Sequence, residues 1–326
     1  MSEPSVEPVD PALAEALSDA MPDAPSAPEQ PSLDPDDPLT LLRQRVIETL
    51  QAMPSHFKFD TTIEGVNATD LQAANTLLGA SIEVQVVATL NLLRELWDPD
   101  LEWQGYRFER QSQTFPDVRL IRHVGGTIEN ALGIELKGWY LLSKEGVPTF
   151  RFTSTPAACA PHDLICVVPW HFSNVTSGTP VARDPWVESA RWAAEYRNYW
   201  WTYIRKSRND KVAVLQPSNA HPYPTKDMQI SDAPEFDKGN NFGRLARVKG
   251  LMDTFIEESS AQEALGIPIR DWVDFFGRHS DSADAATVHA ALATELAEHR
   301  GLVAGNQAVQ IADLVQQIHE ILAEQE

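Results

Sequence analysis

The apolar run from Leu164 to Pro169 is the sequence feature that most limits what this chain can fold into. Such an unbroken run is typical of a β-strand that is covered on both faces, and therefore of a sheet with a layer on each side. Shorter extended segments precede it at 106–108, 117–123, 132–142 and 149–155, with a hairpin turn predicted at 144–146. We therefore expect an α/β fold with a central mixed β-sheet flanked by helices.

Apolar residues at helical spacing predict the helices that flank this sheet. One stretch, 41–50, should end before Pro54, and a longer one, 69–96, should be capped by Thr69 or Asp70 and stop before Pro99. Aromatic residues at helical spacing predict a third long helix over 186–206. Short helices are expected over 242–258 and 269–278, and acidic amphipathic helices over 284–299 and 306–323.

Charge is distributed unevenly along the 326 residues, whose net charge is −21. Residues 1–38 hold ten acidic and no basic side chains together with nine prolines, so we interpret them as a disordered acidic tail with at most a helical turn at 11–21. Residues 281–326 hold eight acidic side chains against Arg300 alone. The middle, 39–280, has 25 basic and 29 acidic side chains and can therefore present a local basic surface.

These patterns divide the chain into four parts. They are the acidic tail 1–38, a core 39–210, a loop-rich region 211–280 and an acidic helical segment 281–326. The chain has only two cysteines, Cys159 and Cys166, and it shows no N-terminal apolar signal segment. Both features indicate a reducing, cytoplasmic location. No apolar run approaches the roughly 18 residues that a membrane span needs, so we expect no membrane partner.

Two acidic residues and a lysine fall on consecutive predicted strands. Asp117 follows Pro116 at the start of one strand, and Glu135 and Lys137 lie two residues apart on the next. Since side chains alternate along a strand, Glu135 and Lys137 should share a face. Asp117 and Glu135 are the kind of ligand that Mg²⁺ takes in proteins, and an adjacent ammonium suits phosphodiester hydrolysis.

The simpler alternative is an edge hairpin on which these charges are ordinary solvent-facing residues. Against it, Glu135 is flanked by Ile134 and Leu136, and Asp117 is followed by Val118. Apolar neighbours of this kind are typical of a central sheet, where a charged side chain needs a partner or a metal ion. The pattern therefore favours a metal site over an exposed hairpin.

The arrangement resembles the PD-(D/E)xK nuclease superfamily, to which many type II restriction endonucleases belong. Pro116, Asp117, Glu135 and Lys137 match its motif, and the resemblance covers roughly residues 79–170. It implies an αβββαβ restriction-endonuclease-like core. Many members also carry a glutamate on the helix before the sheet, which would be Glu83 here, although a helix-surface glutamate without a role is an equal alternative.

Two basic stretches are candidates for nucleic-acid contact. The first ends the aromatic helix, where Arg205, Lys206 and Arg208 would meet phosphates while the aromatic side chains form a core face. The second surrounds a glycine-rich turn that is expected to open a helix, and its cations and amides suit phosphates and base edges. Its residues are Lys238, Asn240, Asn241, Arg244, Arg247 and Lys249. A solvated surface loop is the alternative.

Together these features predict a Mg²⁺-dependent endonuclease that cleaves double-stranded DNA, of the type II restriction kind and acting in bacterial defence. Asp117 and Glu135 would hold the metal ion, Lys137 would position the attacking water, and Glu83 would be an auxiliary acid. Because a duplex has two strands, a homodimer is expected. Two rivals stay open: a non-catalytic DNA-binding or adaptor protein with a nuclease-like core, and an interaction protein whose acidic ends and aromatic helix bind a protein partner.

Overall fold

A six-stranded curled mixed sheet, flanked by helices, forms the centre of the computed structural model. The structure describes residues 11–20, 24–57, 62, 71–112, 114–205 and 213–278, and over 71–80 it describes the backbone alone. The prediction of an α/β protein with a central mixed sheet is confirmed at this level. The C-terminal helices predicted over 284–299 and 306–323 lie outside the described residues.

The sheet consists of β1 Arg107–Arg110, β2 Val118–Val124, β3 Thr127–Tyr140, β4 Leu164–Phe172, β5 Pro180–Ala182 and β6 Trp186–Ser189. The strand order is β1-β2-β3-β4-β5, and β6 also pairs with β4. Its first three strands are antiparallel neighbours, β3 and β4 are parallel, and β5 and β6 both run antiparallel to β4. Every residue of β4 is buried, as the apolar run predicted.

The connection between β3 and β4 corrects the predicted hairpin. Residues 149–155 form no strand and make only a single bridge, Ser154 to Ser231, because β3 pairs in parallel with β4 and needs a long crossover instead. The tight hairpin lies earlier, between β2 and β3, where Gly125 and Gly126 both have positive φ. Residues 141–163 contain one 3₁₀ turn, Pro156–Ala158, and no α-helix, which departs from the αβββαβ order.

Helices α2, Pro38–Ala52, and α3, Leu71–Leu92, agree with the helical patterns before the sheet. Asp37 caps α2 by accepting a hydrogen bond from the Leu39 amide. α3 is continuous through Gly79, and a short α4, Arg94–Trp97, stops before Pro99. On α3, Ile82, Val86 and Leu90 are buried in the main core. None of the described helices is long and apolar enough to cross a membrane.

The aromatic helix begins four residues later than predicted. Residues 186–189 form β6, because they hydrogen-bond to the buried strand β4, and α5 is therefore Ala190–Tyr199. The hydroxyl of Ser189 caps α5 by accepting from the Trp192 amide. A single turn of π-helix, Trp200–Ile204, follows. Of the expected core-facing aromatics, Trp192 and Tyr196 are buried and Trp200 is partly buried.

The loop-rich region forms two small two-stranded sheets and two helices. These are β7 Val214–Leu215 with β8 Ala233–Pro234, α6 Asp253–Ala261, β9 Glu263–Ala264 with β10 Ile267–Pro268, and α7 Ile269–Arg278. The helix predicted over 269–278 is confirmed. Over 242–258 only a 3₁₀ turn, Leu245–Arg247, and the start of α6 are helical, so the glycine-rich turn opens no long helix.

The prediction of disorder over 1–38 is wrong for residues 11–20 and 24–38, which lie against the folded body. Helix α1, Pro11–Ser18, buries Ala16 completely. Further along, the indole Nε1 of Trp192 donates to the carbonyl of Pro28, and Gln30 donates to Glu188. The composition predicted little apolar burial here, whereas the segment makes a few apolar contacts and hydrogen bonds to α5 and β6.

Candidate active site

Asp117, Glu135 and Lys137 meet on one side of the β2–β3 hairpin. Asp117 immediately precedes β2, whose first residue, Val118, pairs with Ile134 on β3. The register therefore brings Asp117 beside Glu135, and the alternation along β3 places Lys137 on the face of Glu135. The predicted convergence of these three side chains is present in the structure.

The distances within this triad are short. The Lys137 Nζ lies 2.6 Å from Glu135 Oε1 and 3.6 Å from Asp117 Oδ2. The same Asp117 oxygen accepts a hydrogen bond of 2.8 Å from the backbone amide of Leu136. The Asp117 carboxylate is therefore fixed to the backbone of the strand that carries the other two residues.

Burial gives the triad unusual protonation behaviour. Burial, together with the negative charge of Asp117, raises the pKa of Glu135 to about 7, although Lys137 opposes this shift. Burial alone would lower the pKa of Lys137, but the attraction of Glu135 and Asp117 outweighs it and the pKa is raised. Lys137 is therefore a cation at neutral pH, while Glu135 is poised to lose a proton when a second cation arrives.

The two carboxylates line a cavity of about 310 Å³. Part of the lining comes from the hairpin and the residues just before it, and a second part, the loop wall, comes from the segment 224–230 of the loop-rich region. The lining residues are Thr114, Phe115, Asp117, Glu135, Ser154, Pro224, Thr225, Lys226, Met228 and Ile230. A group bound in the cavity would contact the two carboxylates and the loop wall.

Asp163, at the start of β4, supports the cavity without lining it. Its Oδ2 accepts from the Ala160 amide, so it caps the turn before β4, and its Oδ1 accepts from the Gly133 amide and the Tyr223 hydroxyl. Burial raises the pKa of Asp163 to about 6. Tyr223 and Asp163 thus join the loop wall to β3, a connection that no sequence motif indicated.

Glu83 is engaged elsewhere. Its Oε2 lies 2.6 Å from Arg110 Nη2 on β1, and it is not among the residues that line the cavity. For the predicted auxiliary role, Glu83 would have to leave Arg110 and reach the cavity that Asp117 and Glu135 line.

The residues present fit a hard divalent cation held by few protein ligands. Among the described residues, no group of three or more His, Cys, Asp or Glu side chains is arranged to hold a metal ion. Asp117 and Glu135 are two carboxylates facing one cavity, and Mg²⁺ is commonly bound through one or two carboxylates while it keeps several waters. Burial is the main reason why the pKa of Glu135 is raised, and a cation bound in the cavity would favour the charged carboxylate that a metal ligand must have.

The predicted DNA-contacting residues are largely paired within the protein. Arg244 and Arg247 both pair with Glu145, Lys249 pairs with Glu15 of α1 at 2.5 Å, and Arg205 lies over the Trp201 ring at 3.7 Å. Asn241 accepts from Arg247, whereas Lys238 and Asn240 are exposed. Lys206 and Arg208 lie outside the described residues.

No protein-family model, curated protein or solved structure matches this chain.

Proposed function

We propose that this protein is a Mg²⁺-dependent endonuclease that cleaves double-stranded DNA, of the restriction-enzyme kind. The observation that carries the proposal is the convergence of Asp117, Glu135 and Lys137 beside one cavity, with Lys137 Nζ 2.6 Å from Glu135 and 3.6 Å from Asp117. Two carboxylates and an ammonium on a β-hairpin are the parts that metal-assisted phosphodiester hydrolysis requires. The resemblance to the PD-(D/E)xK motif points the same way.

Asp117 and Glu135 would hold the metal ion. The ion would lower the pKa of a bound water and offset negative charge on the scissile phosphate. Because Glu135 has a pKa near 7, part of its population must release a proton before it can act as a ligand at neutral pH. The Leu136 amide already orients the Asp117 carboxylate.

Lys137 would orient the attacking water and offset charge at phosphorus. An ammonium has three N–H donors, and Glu135 accepts one of them. Asp117 lies 3.6 Å from the same ammonium, which leaves a third N–H to contact a water or a phosphate oxygen. A side chain held by ion pairs on a central strand offers the fixed geometry that positioning of a nucleophile demands.

The proposal includes a homodimer with one site for each strand of the duplex. It also includes action in bacterial defence and a cytoplasmic location. The DNA-contacting surface would include Lys238 and Asn240, which are exposed. Arg244, Arg247 and Lys249 would exchange their present acidic partners for phosphates.

A non-catalytic DNA-binding or adaptor protein is the second candidate. The observation that favours it is the internal neutralisation of Glu135 by Lys137, since an ion pair of this kind can hold the hairpin together without any metal ion. In that case a chelator would have little effect on DNA binding, and no strand would be cut.

Cleavage and binding assays on the same preparation separate the two candidates. Supercoiled plasmid is incubated with the full-length protein and Mg²⁺, with and without a chelator, while a gel shift records binding to a linear duplex. The endonuclease proposal expects nicked and linear DNA that disappears when the metal is chelated. A gel shift without any strand cleavage across a panel of plasmids and genomic DNA would favour the adaptor.

A further inference from the structure

The second wall of the cavity, residues 224–230, carries a lysine that no motif indicated. We propose that Lys226 binds a phosphate of the substrate strand in the cavity that Asp117 and Glu135 also line, and that the loop 224–230 is a built part of the substrate site. The inference rests on the proposed function, because it takes the substrate to be a phosphodiester chain.

The loop is fixed to the sheet at its N-terminal end. The Tyr223 hydroxyl donates to Asp163 Oδ1 at 3.1 Å, and that same oxygen accepts from the Gly133 amide on β3. Arg119 of β2 donates to the Pro224 carbonyl and stacks over the Tyr223 ring at 5.3 Å. This end of the loop is therefore tied to both strands of the hairpin that positions the triad.

The C-terminal end is fixed as firmly. The Thr155 amide donates to the Ile230 carbonyl at 2.7 Å, and the Asp232 amide donates to the Thr153 carbonyl at 2.8 Å. The Asp232 carboxylate then pairs with Arg197 at 2.6 Å, and both side chains are at most 1% exposed. Residues 225–229 consequently span two anchored points, so the wall keeps its place relative to Asp117 and Glu135.

Within the described part of the chain, Lys226 has neither an ion pair nor a hydrogen-bond partner for its ammonium, in contrast to Arg244, Arg247 and Lys249. It is exposed and lines the same cavity as Asp117 and Glu135. The hydroxyl-bearing side chains of Thr114, Ser154 and Thr225 complete a polar lining. A free ammonium beside hydroxyl donors suits an anionic oxygen of a phosphate.

The charge balance in the cavity favours a phosphate-binding role for Lys226. Two carboxylates repel a phosphodiester, and Lys137 is already paired with both of them. The proposed metal ion would offset charge at the scissile phosphate, and Lys226, which lines the same cavity, would add positive charge for a further phosphate of the strand. In this arrangement Lys226 is a positioning residue for the strand, while Lys137 remains the residue next to the reacting atoms.

The test compares Lys226→Ala with Lys226→Arg and with Lys144→Ala. Lys144 is an exposed lysine in the turn after β3 that does not line the cavity, so its loss changes net charge equally. Affinity for a short duplex is measured at several salt concentrations in Ca²⁺, with the DNA checked for integrity, and thermal unfolding verifies folding. Steady-state cleavage in Mg²⁺ then gives kcat and KM.

We expect Lys226→Ala to weaken duplex binding several-fold and to reduce the slope of log affinity against log salt by about one, the loss of a single phosphate contact. Lys226→Arg should retain the slope, and Lys144→Ala should match the wild type. In cleavage, KM should rise for Lys226→Ala while kcat changes little. A wild-type slope for Lys226→Ala, or equal losses for Lys144→Ala, overturns the inference.

The outcomes for the two proposals are distinguishable. A wild-type protein that binds DNA without cutting it removes the nuclease, yet the slope of Lys226→Ala still decides the phosphate contact. Cleavage by the wild type with an unaltered Lys226→Ala slope removes the contact and leaves the nuclease. A protein that binds no duplex under any condition removes both.

Discussion

Glu135 and Lys137 share one face of β3, and the Lys137 ammonium lies 2.6 Å from Glu135 Oε1. Glu135 is buried and Lys137 is partly buried, and Asp117 adds a second negative charge 3.6 Å from the same ammonium. Two acids against one base leave the cluster short of positive charge. The measurable consequences begin with its response to pH.

Without metal ion, the protein should lose stability as pH rises from about 4.5 to about 7. The pKa of Glu135 is about 7 in the folded protein, against an ordinary value of 4.5 for a glutamate in the unfolded chain. The folded state therefore holds the proton more strongly within the pH window between these two values. Protonation therefore stabilises the fold below the window, and the benefit is lost above it. Urea unfolding at pH 5 and pH 8 measures the decrease in the free energy of unfolding between these pH values. For Glu135→Gln this decrease should be smaller than for the wild type, by on the order of 1–3 kcal/mol. Equal decreases in the two proteins would contradict the assignment.

Addition of Mg²⁺ should oppose this loss of stability at high pH. A protonated Glu135 is a poor ligand, so the ion should raise the free energy of unfolding more at pH 8 than at pH 5. Thermal unfolding with and without Mg²⁺ at both pH values measures the effect. Asp117→Asn and Glu135→Gln should each abolish most of the Mg²⁺ response, whereas Asp100→Asn, an exposed acid paired with Arg45, should leave it intact. A Mg²⁺ response that persists in both site variants would show that the ion binds elsewhere.

The buried ion pair Arg197–Asp232 should be among the costliest to break. Arg197 also donates to the carbonyls of Phe152 and Ser154, so removal of Asp232 leaves an uncompensated charge in the interior. Asp232→Ala should lower the free energy of unfolding by about 3–5 kcal/mol. The comparison is Asp100→Ala, whose exposed pair with Arg45 should be worth less than about 1 kcal/mol. Chemical unfolding that gives similar values for both would contradict the burial argument.

Gly133 should tolerate no side chain. A Cβ at this position would lie 2.5 Å from Pro116 Cγ and 2.8 Å from Asp163 Oδ1, and neither atom belongs to a long flexible side chain. Gly133→Ala should therefore destabilise the protein and displace Asp117, which follows Pro116. The control is Gly277→Ala in α7, where nothing lies within 4 Å and alanine favours the helix by up to about 1 kcal/mol. An unchanged Tm for Gly133→Ala would exclude the close packing.

Loss of the Asp163 carboxylate should lower the free energy of unfolding more than loss of any single hydrogen bond at the loop wall. Asp163→Ala leaves the Gly133 and Ala160 amides without their acceptor, at about 1–3 kcal/mol for each buried group. Tyr223→Phe removes only the hydroxyl that donates to Asp163, and about 1 kcal/mol is expected. Chemical unfolding of both variants tests the order, which would be reversed if the tyrosine were the main support of the loop.

The sequence was informative where local periodicity decides the structure. The apolar run predicted β4 and its burial, and the alternation along β3 predicted that Glu135 and Lys137 share a face. Pairing between strands is a long-range choice, and sequence patterns describe it poorly. For that reason the segment 149–155 was assigned to a hairpin, although β3 instead pairs in parallel with β4.

The loop wall could not have been found from motifs. Tyr223, Pro224 and Lys226 are about ninety residues from β3 in sequence, and their position depends on Asp163 and on the buried pair Arg197–Asp232. The order of residues 24–38 was equally hidden, because composition records how many apolar residues a segment has and not whether a complementary surface exists. The indole of Trp192 supplies that surface by donating to Pro28.

The most direct test of the central claim is single-turnover cleavage of plasmid DNA in Mg²⁺ by the wild type, Lys137→Met and Lys144→Met. The first variant removes the ammonium at the triad, and the second removes an exposed ammonium outside the cavity. The proposed centre predicts cleavage by the wild type and Lys144→Met, and a rate at least about a hundredfold lower for a folded Lys137→Met. Cleavage by Lys137→Met at the wild-type rate would contradict it.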